Sequence, residues 1–381
     1  MKRKNSLRTR SVHAGRADFN DLGVHAPPID LSSTYPVRDL GRAAESFQNL
    51  AGGSVPIHGE PIYARLHNPT VARYEEAIAD LEGAESAVGF ASGMAAISAC
   101  LMVAVKDGPE VVAVRPLYGG TDHMLEAGLF GVEVKWVDPD AIAAALTPRT
   151  SLVILETPAN PNLDLVDIAD VVRQAGDVPV MVDNTFATPV LQNPIAHGAR
   201  IVVHSGTKFL GGHGDVVAGI VAADEDWCAR LRQNRIATGG ILHPLSAYLL
   251  HRGLPTLPLR VEAQQESAIE LVKRLAASGL VENLRHPSLP GADPKRLIGT
   301  QMRGPGSLLA FDVPGGFEEA AQVMMGLECM TRAVSLGSVD TLVQHPAALT
   351  HSSVDPEALA KHGVTESTLR LSIGLEDVED L

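Results

Sequence analysis

The chain has 381 residues, of which 45% are hydrophobic and 20% are charged, a composition typical of a globular protein that buries its own core. Lysine and arginine number 31 and aspartate and glutamate 45, which gives a formal net charge of −14. So acidic a chain is repelled at long range by nucleic acids and anionic membranes, which argues against either as a general partner.

The cysteines and the N-terminus indicate where the protein resides. Cys100, Cys228 and Cys329 are far apart and form no Cys-x-x-Cys pair, as expected in a reducing compartment. The basic N-terminus is not followed by the apolar run of a signal peptide, and no apolar stretch reaches the ~18 residues of a membrane span. We therefore expect a cytoplasmic protein.

The first 60 residues contain many residues that break helices. We predict an extended arm over residues 1–60 rather than helices, because proline removes a backbone donor and fixes φ. An arm of this length cannot bury itself, so it predicts contact with a neighbouring subunit. The prolines are Pro27, Pro28, Pro36 and Pro56, with Pro61 directly after the segment.

Short apolar runs alternate with helical patterns over residues 61–245. The runs are 86–90, 110–114, 132–137, 151–155, 178–183, 200–204 and 216–222. Because they are apolar throughout, they suit strands that are covered on both faces. We predict an α/β domain over residues 61–245 with a mostly parallel seven-stranded sheet. A helix over 256–278 then leads into a smaller α+β domain over residues 246–381.

Chemically useful residues follow several of these strands. In open parallel sheets, ligands bind at the carboxyl ends of the strands. Ser92-Gly93-Met94 follows the first strand and opens a helix, whose free N–H groups can hold a phosphate. Asp183 ends the fifth strand. The sixth strand is followed by Ser205, Thr207 and Lys208. Taken alone, each of these residues more often serves as a cap, a turn or a surface side chain.

Pyridoxal phosphate (PLP) chemistry uses all of these groups together. It needs a lysine for a Schiff base, an acid beside the pyridine nitrogen, and donors for the phosphate. The competing motifs are absent from the sequence: there is no P-loop and no Gly-x-Ser-x-Gly, and GGHGD at 211–215 lacks the dinucleotide register. The histidines also lack zinc spacing, so we predict PLP and no metal.

Several segments, which follow one another in a fixed order along the chain, carry a family resemblance. They are YARLHNPT (63–70), ASGMAAI (91–97), LYGGT (117–121), ETPANP (156–161), VDNTFATP (182–189), HSGTKFLGGHGDVVAG (204–219) and AVSLGSVDTLVQHPAALTHS (333–352). With them the chain resembles the Cys/Met-metabolism family of PLP-dependent enzymes from about residue 10 to its end. That family includes methionine γ-lyases, cystathionine γ-lyases and cystathionine γ-synthases, and it implies fold type I, the aspartate-aminotransferase-like fold.

The resemblance implies a role for each cofactor-binding residue. Lys208 is expected to hold PLP as a Schiff base and to move protons, and Asp183 to pair with the pyridinium nitrogen. Tyr118 is expected to stack on the ring and to act as acid and base toward the leaving group. The phosphate is expected to be bound by Ser92, Gly93, Met94, Ser205 and Thr207.

The resemblance also implies a substrate clamp and an oligomer. Arg370 is expected to bind the α-carboxylate of an amino-acid substrate in a bidentate fashion, with Ser335 and Asn160. Asn160 is also a candidate for cofactor binding and, alternatively, a simple turn residue. Tyr63 and Arg65 are expected to reach the phosphate of a neighbouring subunit, in a homotetramer built from two catalytic dimers.

The reaction branch depends on positions outside these motifs. Cystathionine γ-lyases commonly have acidic residues where this chain has Ile62 and Val334, and an apolar wall suits a methylthio group better than a distal ammonium. Against a methionine γ-lyase, Gly120 replaces the cysteine usual there, and Arg115 is atypical. We expect γ-elimination on L-methionine or a related homoserine-derived thioether, giving 2-oxobutyrate, ammonia and a thiol.

Other functions stay open from the sequence alone. The first is γ-replacement on an O-acyl-L-homoserine, as in a cystathionine γ-synthase or a sulfhydrylase. The second is cystathionine γ-lyase activity. A catalytically silent binding protein of the same fold is disfavoured, because Lys208, Asp183, Tyr118 and Arg370 are all present.

Overall fold

The computed structural model describes residues 5–351 and 356–381. The helices are α1 (Leu7–His13), α2 (Phe19–Leu22), α3 (Leu40–Ala51), α4 (Pro69–Glu82), α5 (Gly93–Ala104), α6 (Gly119–Glu126), α7 (Ile142–Ala145), α8 (Ile168–Ala175), α9 (Thr188–Leu191), α10 (Glu225–Thr238), α11 (Pro244–Gly253), α12 (Leu257–Ser278), α13 (Phe317–Gly326) and α14 (Pro356–Lys361). Single 3₁₀ turns lie at Leu129–Gly131, Pro194–His197 and Leu254–Thr256.

The strands form two sheets. They are β1 (Ser86–Phe90), β2 (Glu110–Val114), β3 (Glu133–Val137), β4 (Thr150–Glu156), β5 (Val180–Asp183), β6 (Ile201–Ser205), β7 (Gly219–Ala223), β8 (Glu282–Arg285), β9 (Leu308–Asp312), β10 (Thr331–Arg332), β11 (Leu342–Gln344) and β12 (Thr368–Ser372). The larger sheet has seven strands in the order β1-β7-β6-β5-β4-β2-β3, and the smaller has five in the order β10-β11-β12-β9-β8.

The larger sheet confirms the predicted seven strands and their mostly parallel arrangement. Only β7 runs against its neighbours, pairing antiparallel with both β1 and β6. Alternate residues of β4 face opposite cores: Leu152 and Ile154 join one apolar cluster, and Val153 and Leu155 join another. The continuous apolar runs are therefore explained by helices that cover both faces of the sheet.

The N-terminal segment corrects the prediction that prolines prevent helices there. Helices α1, α2 and α3 all lie within the first 60 residues. Helix α3 forms because the prolines fall outside residues 40–51, and because Asp39 caps it by accepting the Arg42 N–H at 3.0 Å. Residues 24–38 and 52–68 contain turns, bends and an isolated bridge between Thr34 and Tyr63.

Local sequence signals set the starts of the helices that carry site residues. Asn68 caps α4 by accepting the N–H groups of Thr70 and Val71, and Pro69 occupies the first helical position. Ser92 caps α5 in the same way, accepting the Ala95 N–H at 3.1 Å. Within the described ranges, no helix is long and apolar enough to cross a membrane.

The smaller sheet is held by a buried ion pair. Asp312, at the end of β9, accepts hydrogen bonds from Arg285 Nη1 and Nη2 at 3.0 and 2.9 Å, from Asn283 at 2.9 Å and from Thr368 at 2.7 Å. Burial by itself raises the pKa of Asp312, but these hydrogen bonds outweigh it, so the net pKa lies below its usual value. The ionised carboxylate therefore stabilises the fold.

We predict that Asp312→Asn lowers the free energy of unfolding at neutral pH by about 3 kcal/mol, because it leaves Arg285 buried without its partner. A lowered folded-state pKa contributes stability above the unfolded value of 3.8, and that contribution is lost as the pH falls. The difference in the free energy of unfolding between the variant and the parent protein should therefore shrink below this pH. Urea denaturation across a pH series measures it, with exposed Asp140→Asn as the control. A difference that stays constant with pH would contradict the assignment.

Candidate active site

A cavity of about 250 Å³ lies at the carboxyl ends of the strands of the larger sheet. Helix starts, strand ends and the C-terminal sheet all contribute to its wall. Among the residues singled out from the sequence, those lining the cavity are Ser92, Gly93, Met94, Tyr118, Asn160, Asp183, Ser205, Thr207, Lys208, Ser335 and Arg370. Residues that are 278 positions apart in the chain thus meet around one small volume.

The start of α5 forms a close-fitting cradle. Ser92, Gly93 and Met94 line the cavity at the positive end of the helix dipole, where the first N–H groups of a helix have no partner within the helix. A Cβ atom added at Gly93 would lie 3.1 Å from Ser205 Cβ, and one added at Gly219 would lie 2.2 Å from the Ser92 carbonyl oxygen. Glycine at these positions therefore allows β7 and α5 to approach, which brings Ser205 beside the helix start.

Asp183 is a partly buried carboxylate without a cationic partner among the described residues. Thr185 donates to its Oδ1 from the backbone N–H at 3.0 Å and from the hydroxyl at 2.5 Å. The Thr185 hydroxyl oxygen also accepts the Ser205 N–H at 2.9 Å, which ties β5 to the start of the next loop. Burial raises the pKa of Asp183, so the site favours a ligand that brings a proton to this carboxylate.

Lys208 lies on the turn after β6 with its ammonium in the cavity. Its Nζ donates to Ser335 Oγ at 2.7 Å. Burial, and secondarily the charge of Arg370, lowers the pKa of Lys208 to about 8. A larger fraction of this lysine is therefore the neutral, nucleophilic amine at neutral pH than for an exposed lysine. Ser335 itself has a φ of 95°, a strained backbone conformation for a serine.

Arg370 reaches the cavity from β12 of the smaller sheet. Its Nη1 donates to Asn160 Oδ1 at 2.7 Å, and its Nη2 donates to the Ser335 carbonyl oxygen at 2.8 Å. Burial lowers the pKa of Arg370 to about 10, which leaves it charged at neutral pH. The predicted grouping of Arg370, Asn160 and Ser335 is thus present in the geometry.

Glu156 is a cavity residue that the reading of strand ends did not single out. It is the last residue of β4, and its Oε2 accepts the Tyr118 backbone N–H at 2.9 Å. Burial raises the pKa of Glu156 well above its usual range, and the charge of Asp183 adds to the rise. The rule that located Asp183 applies equally to Glu156, so the signal was available in the sequence.

The two atypical positions near Tyr118 have structural explanations. Arg115 is paired with Asp122 at 2.7 Å and stacks over the Trp136 ring at 3.8 Å, so its charge is used outside the cavity. At Gly120, an added Cβ would lie 2.8 Å from Tyr118 Cε1 and 3.1 Å from Met94 Sδ. A cysteine there would displace the tyrosine ring or the methionine from the positions they occupy here.

Tyr63 and Arg65 lie outside this cavity and are exposed. Arg65 Nη1 donates to the Ile236 carbonyl oxygen at 2.5 Å, and its guanidinium lies 5.6 Å from the Tyr63 ring. Both side chains are therefore available at the surface of the single chain, and the structure does not bring them to the chain's own site.

A larger groove, of about 740 Å³, opens near residues 162–164 and 284–292. Its cations are paired with protein groups: Arg285 binds Asp312 at 2.9 Å, and Lys361 lies 3.8 Å from Asp138. The described residues also contain no cluster of His, Cys, Asp or Glu that could hold a metal ion. The smaller cavity is therefore the one in which unpaired functional groups converge.

Comparisons with known proteins identify the family of the chain. The model of the family described as Cys/Met metabolism PLP-dependent enzymes matches residues 8–381. An L-methionine γ-lyase of Brevibacterium sandarakinum is 52% identical over 375 residues, covering 98% of this chain and 94% of the relative. The solved structure of a cystathione γ-lyase (CalE6) of Micromonospora echinospora is 40% identical with a TM-score of 0.88, and it covers 99% and 97% of the two chains. A cystathionine γ-synthase of Xanthomonas oryzae pv. oryzae, solved with aminoacrylate and cysteine, is 34% identical with a TM-score of 0.90 and coverage of 99% and 96%.

The residues of the cavity fit PLP, the cofactor of this family. The cradle of α5 and Ser205 suits a phosphate, and the cation-free Asp183 suits a protonated ring nitrogen. Lys208 is a partly buried amine with a lowered pKa at the same cavity. The structural relatives also confirm the predicted fold, since they are PLP-dependent trans-sulfuration enzymes of fold type I.

We predict that Gly219→Ala weakens PLP binding by about tenfold or more, because the new methyl would push the Ser92 carbonyl and the α5 cradle out of place. Titration of the apoenzyme with PLP, followed by the visible absorption of the bound cofactor, measures the affinity. Gly240→Ala is the matched control, since its Cβ would meet atoms only at 3.9 Å or beyond. Equal affinities for the two variants would contradict the role given to the cradle.

Proposed function

Because the chain belongs to the Cys/Met metabolism PLP-dependent enzyme family, we propose that it catalyses γ-elimination on L-methionine. The reaction consumes one water and releases 2-oxobutyrate, ammonia and methanethiol. Curated relatives that are 52% identical over nearly the whole chain carry the name L-methionine γ-lyase. An amino-acid substrate is consistent with the family, and the site geometry supports this particular one.

The observation that carries the proposal is the distribution of charge in the cavity. Its charged side chains are Glu156, Asp183, Lys208 and Arg370, and the cofactor and an α-carboxylate account for the last three. Glu156 is occupied by the Tyr118 N–H. The remaining wall is largely apolar and includes Ile97, Phe186, Val334 and Leu336. Among the described residues that line the cavity, no charge is left over for the distal ammonium of cystathionine, whereas a methylthio group is compatible with an apolar wall.

In this proposal each polar side chain has a separate task toward the cofactor. Bound PLP supplies an electron sink for the negative charge that develops when protons leave Cα and Cβ. Lys208 would hold the cofactor covalently before substrate arrives. Asp183 would hold a proton at the ring nitrogen, and the phosphate would be bound by Ser92, Gly93, Met94, Ser205 and Thr207. Asn160 would contribute to the cofactor pocket as well as to the clamp.

Proton movement in the proposed reaction uses Lys208 and Tyr118. Once released, the Lys208 amine would take the proton from Cα, and its lowered pKa keeps part of it neutral for this purpose. Ser335 Oγ, at 2.7 Å from Nζ, would keep the amine directed into the cavity. Tyr118 would stack on the ring and donate a proton to the departing thiolate.

Substrate orientation would depend on Arg370. Its guanidinium would bind the α-carboxylate through paired hydrogen bonds, held by Asn160 and the Ser335 carbonyl. With the carboxylate fixed there, the side chain of methionine extends toward the apolar wall that includes Val334. Because Val334 is half-exposed, it would lie at the mouth of the cavity, beside the far end of the substrate side chain.

We further propose a homotetramer of two catalytic dimers, in which Tyr63 and Arg65 complete the partner's site. The location of the exposed apolar side chains supports this oligomer, because many of them lie in the N-terminal segment. The large apolar residues exposed there are Val12, Leu22, Val24, Ile29, Leu31, Val37, Leu40, Phe47, Val55, Ile57 and Tyr63. Such a continuous segment is typical of a subunit interface.

The proposal keeps the three predicted regions: an arm over residues 1–60, a PLP-binding domain over 61–245 and a C-terminal domain over 246–381. The separation of the seven-stranded sheet from the five-stranded sheet along the chain supports this division.

We also propose a cytoplasmic location, which is supported by cysteines that are all unpaired.

We predict that the purified holoenzyme converts L-methionine to 2-oxobutyrate and methanethiol in equal amounts, because the apolar wall accepts the methylthio group. The panel includes cystathionine, homocysteine, and O-acetyl- and O-succinyl-L-homoserine with and without cysteine. Lys208→Ala should remove both the turnover and the visible band of the bound cofactor. Turnover confined to an O-acyl homoserine together with a thiol would overturn the proposal in favour of γ-replacement, and a preference for cystathionine would favour the corresponding lyase.

The shared site is tested by subunit complementation. Arg65→Ala and Lys208→Ala chains should each be inactive, and chains co-expressed in equal amounts should regain about a quarter of the parent activity. Half of the dimers then pair the two variants, and one of their two sites combines an intact Lys208 with an intact Arg65. Sedimentation should show a tetramer throughout. Activity no higher than the sum of the separate variants would contradict the shared site.

A further inference from the structure

The buried guanidinium of Arg370 is held by neutral groups. Only 2% of the residue is exposed, and among the described residues it forms no salt bridge with a carboxylate. Its guanidinium donates to the side-chain oxygen of Asn160 at 2.7 Å and to the backbone oxygen of Ser335 at 2.8 Å. A buried charge that is held in this way is fixed in direction but keeps its attraction for an anion.

Gln344 supplies a third neutral contact. It lies on β11 directly opposite Arg370 on β12 in the antiparallel register, and it is 1% exposed. With its amide oxygen toward the guanidinium, Oε1 lies 3.0 Å from Arg370 Nη2, 3.2 Å from Nη1 and 3.2 Å from Thr350 Oγ1. The reverse orientation would direct amide N–H groups at guanidinium N–H groups, so hydrogen bonding selects the first.

We propose that Gln344 is a positioning residue for the substrate clamp: its neutral amide fixes the Arg370 guanidinium without neutralising it, so the substrate's carboxylate becomes the anion that completes the site. This rests on the proposed role of Arg370 in binding the α-carboxylate. A glutamate at position 344 would have the same length and reach, but it would compete with the substrate for the guanidinium.

Glu156, the acid that shares the cavity with Arg370, is consistent with a clamp held by neutral groups. Glu156 accepts the Tyr118 N–H at 2.9 Å, and burial raises its pKa well above the usual range. It is therefore shifted toward the neutral form, and among the described residues it forms no salt bridge with Arg370. The protein thus surrounds this arginine with acceptors while withholding a permanent counter-ion, which a bound carboxylate supplies.

The test uses the holoenzyme and two unreactive ligands. L-Norleucine has nearly the shape of methionine but lacks the sulfur leaving group, and pentylamine is the same chain without the carboxylate. Dissociation constants come from the change in the visible absorption of the bound cofactor. We expect Gln344→Glu to weaken norleucine binding by about tenfold or more and to change pentylamine binding by less than about twofold.

Two further variants separate charge from packing. Gln344→Met keeps the length of the side chain but removes the acceptor, so it should weaken norleucine binding less than Gln344→Glu does and again spare pentylamine. Gln174→Glu adds the same charge on α8, outside the cavity, and should leave both constants unchanged. In turnover of methionine, the Gln344 variants should raise KM more than they lower kcat.

The outcomes distinguish this inference from the proposed function beneath it. Unchanged norleucine binding in Gln344→Glu, or equal weakening of both ligands, overturns the role of Gln344. Arg370→Met must weaken norleucine binding, and if it does not, the clamp itself is wrong and the inference falls with it. If methionine is not turned over but the two ligands still respond as expected, the inference stands and the choice of substrate falls.

Discussion

The structure depends on the free-energy cost of burying charged side chains without partners of opposite charge. Glu156, Asp183, Lys208 and Arg370 share one cavity, yet among the described residues none of them forms a salt bridge. An uncompensated ion in a protein interior costs several kcal/mol, and burial accordingly raises the pKa of both acids and lowers that of both bases. The cavity is therefore incomplete electrostatically until a ligand brings a phosphate, a protonated nitrogen and a carboxylate into it.

The fold keeps these groups apart by drawing them from different elements. Asp183 and Lys208 come from neighbouring strand ends of the larger sheet, whereas Arg370 comes from the smaller one. Two hydrogen bonds join the sheets at the cavity: Lys208 to Ser335 Oγ, and Arg370 to Asn160 Oδ1. Each joins a cation to a neutral oxygen. The contacts that assemble the site therefore leave its charges free, which a salt bridge between the same elements would not do.

Much of this site could be predicted from the sequence because the carboxyl ends of parallel strands meet at the same edge of a sheet, where ligands bind. That rule located Asp183 and Lys208, and it would also have located Glu156. Gln344 was beyond its reach, because its neighbour is set by the antiparallel register of β11 with β12, which short strands do not reveal. Helix α3 departs from the prediction for a different reason. Prolines restrict only the backbone close to them, and the proline-free residues between Pro36 and Pro56 are long enough to form a helix.

The same electrostatic argument explains why the motifs identify the family more readily than the substrate. The motif residues place charged groups around one cavity, where in the proposed function they bind the cofactor and the α-carboxylate that the family's amino-acid chemistry shares. Discrimination between a methyl group and a second amino acid depends on whether the far wall adds a charge, and in this chain Val334 adds none. Introducing a charge there costs less than it would deeper in the cavity, because Val334 is 50% exposed and solvent screens it. The rim is therefore where a charge toward the end of the substrate costs least, whereas the acceptors around Arg370 are buried and neutral.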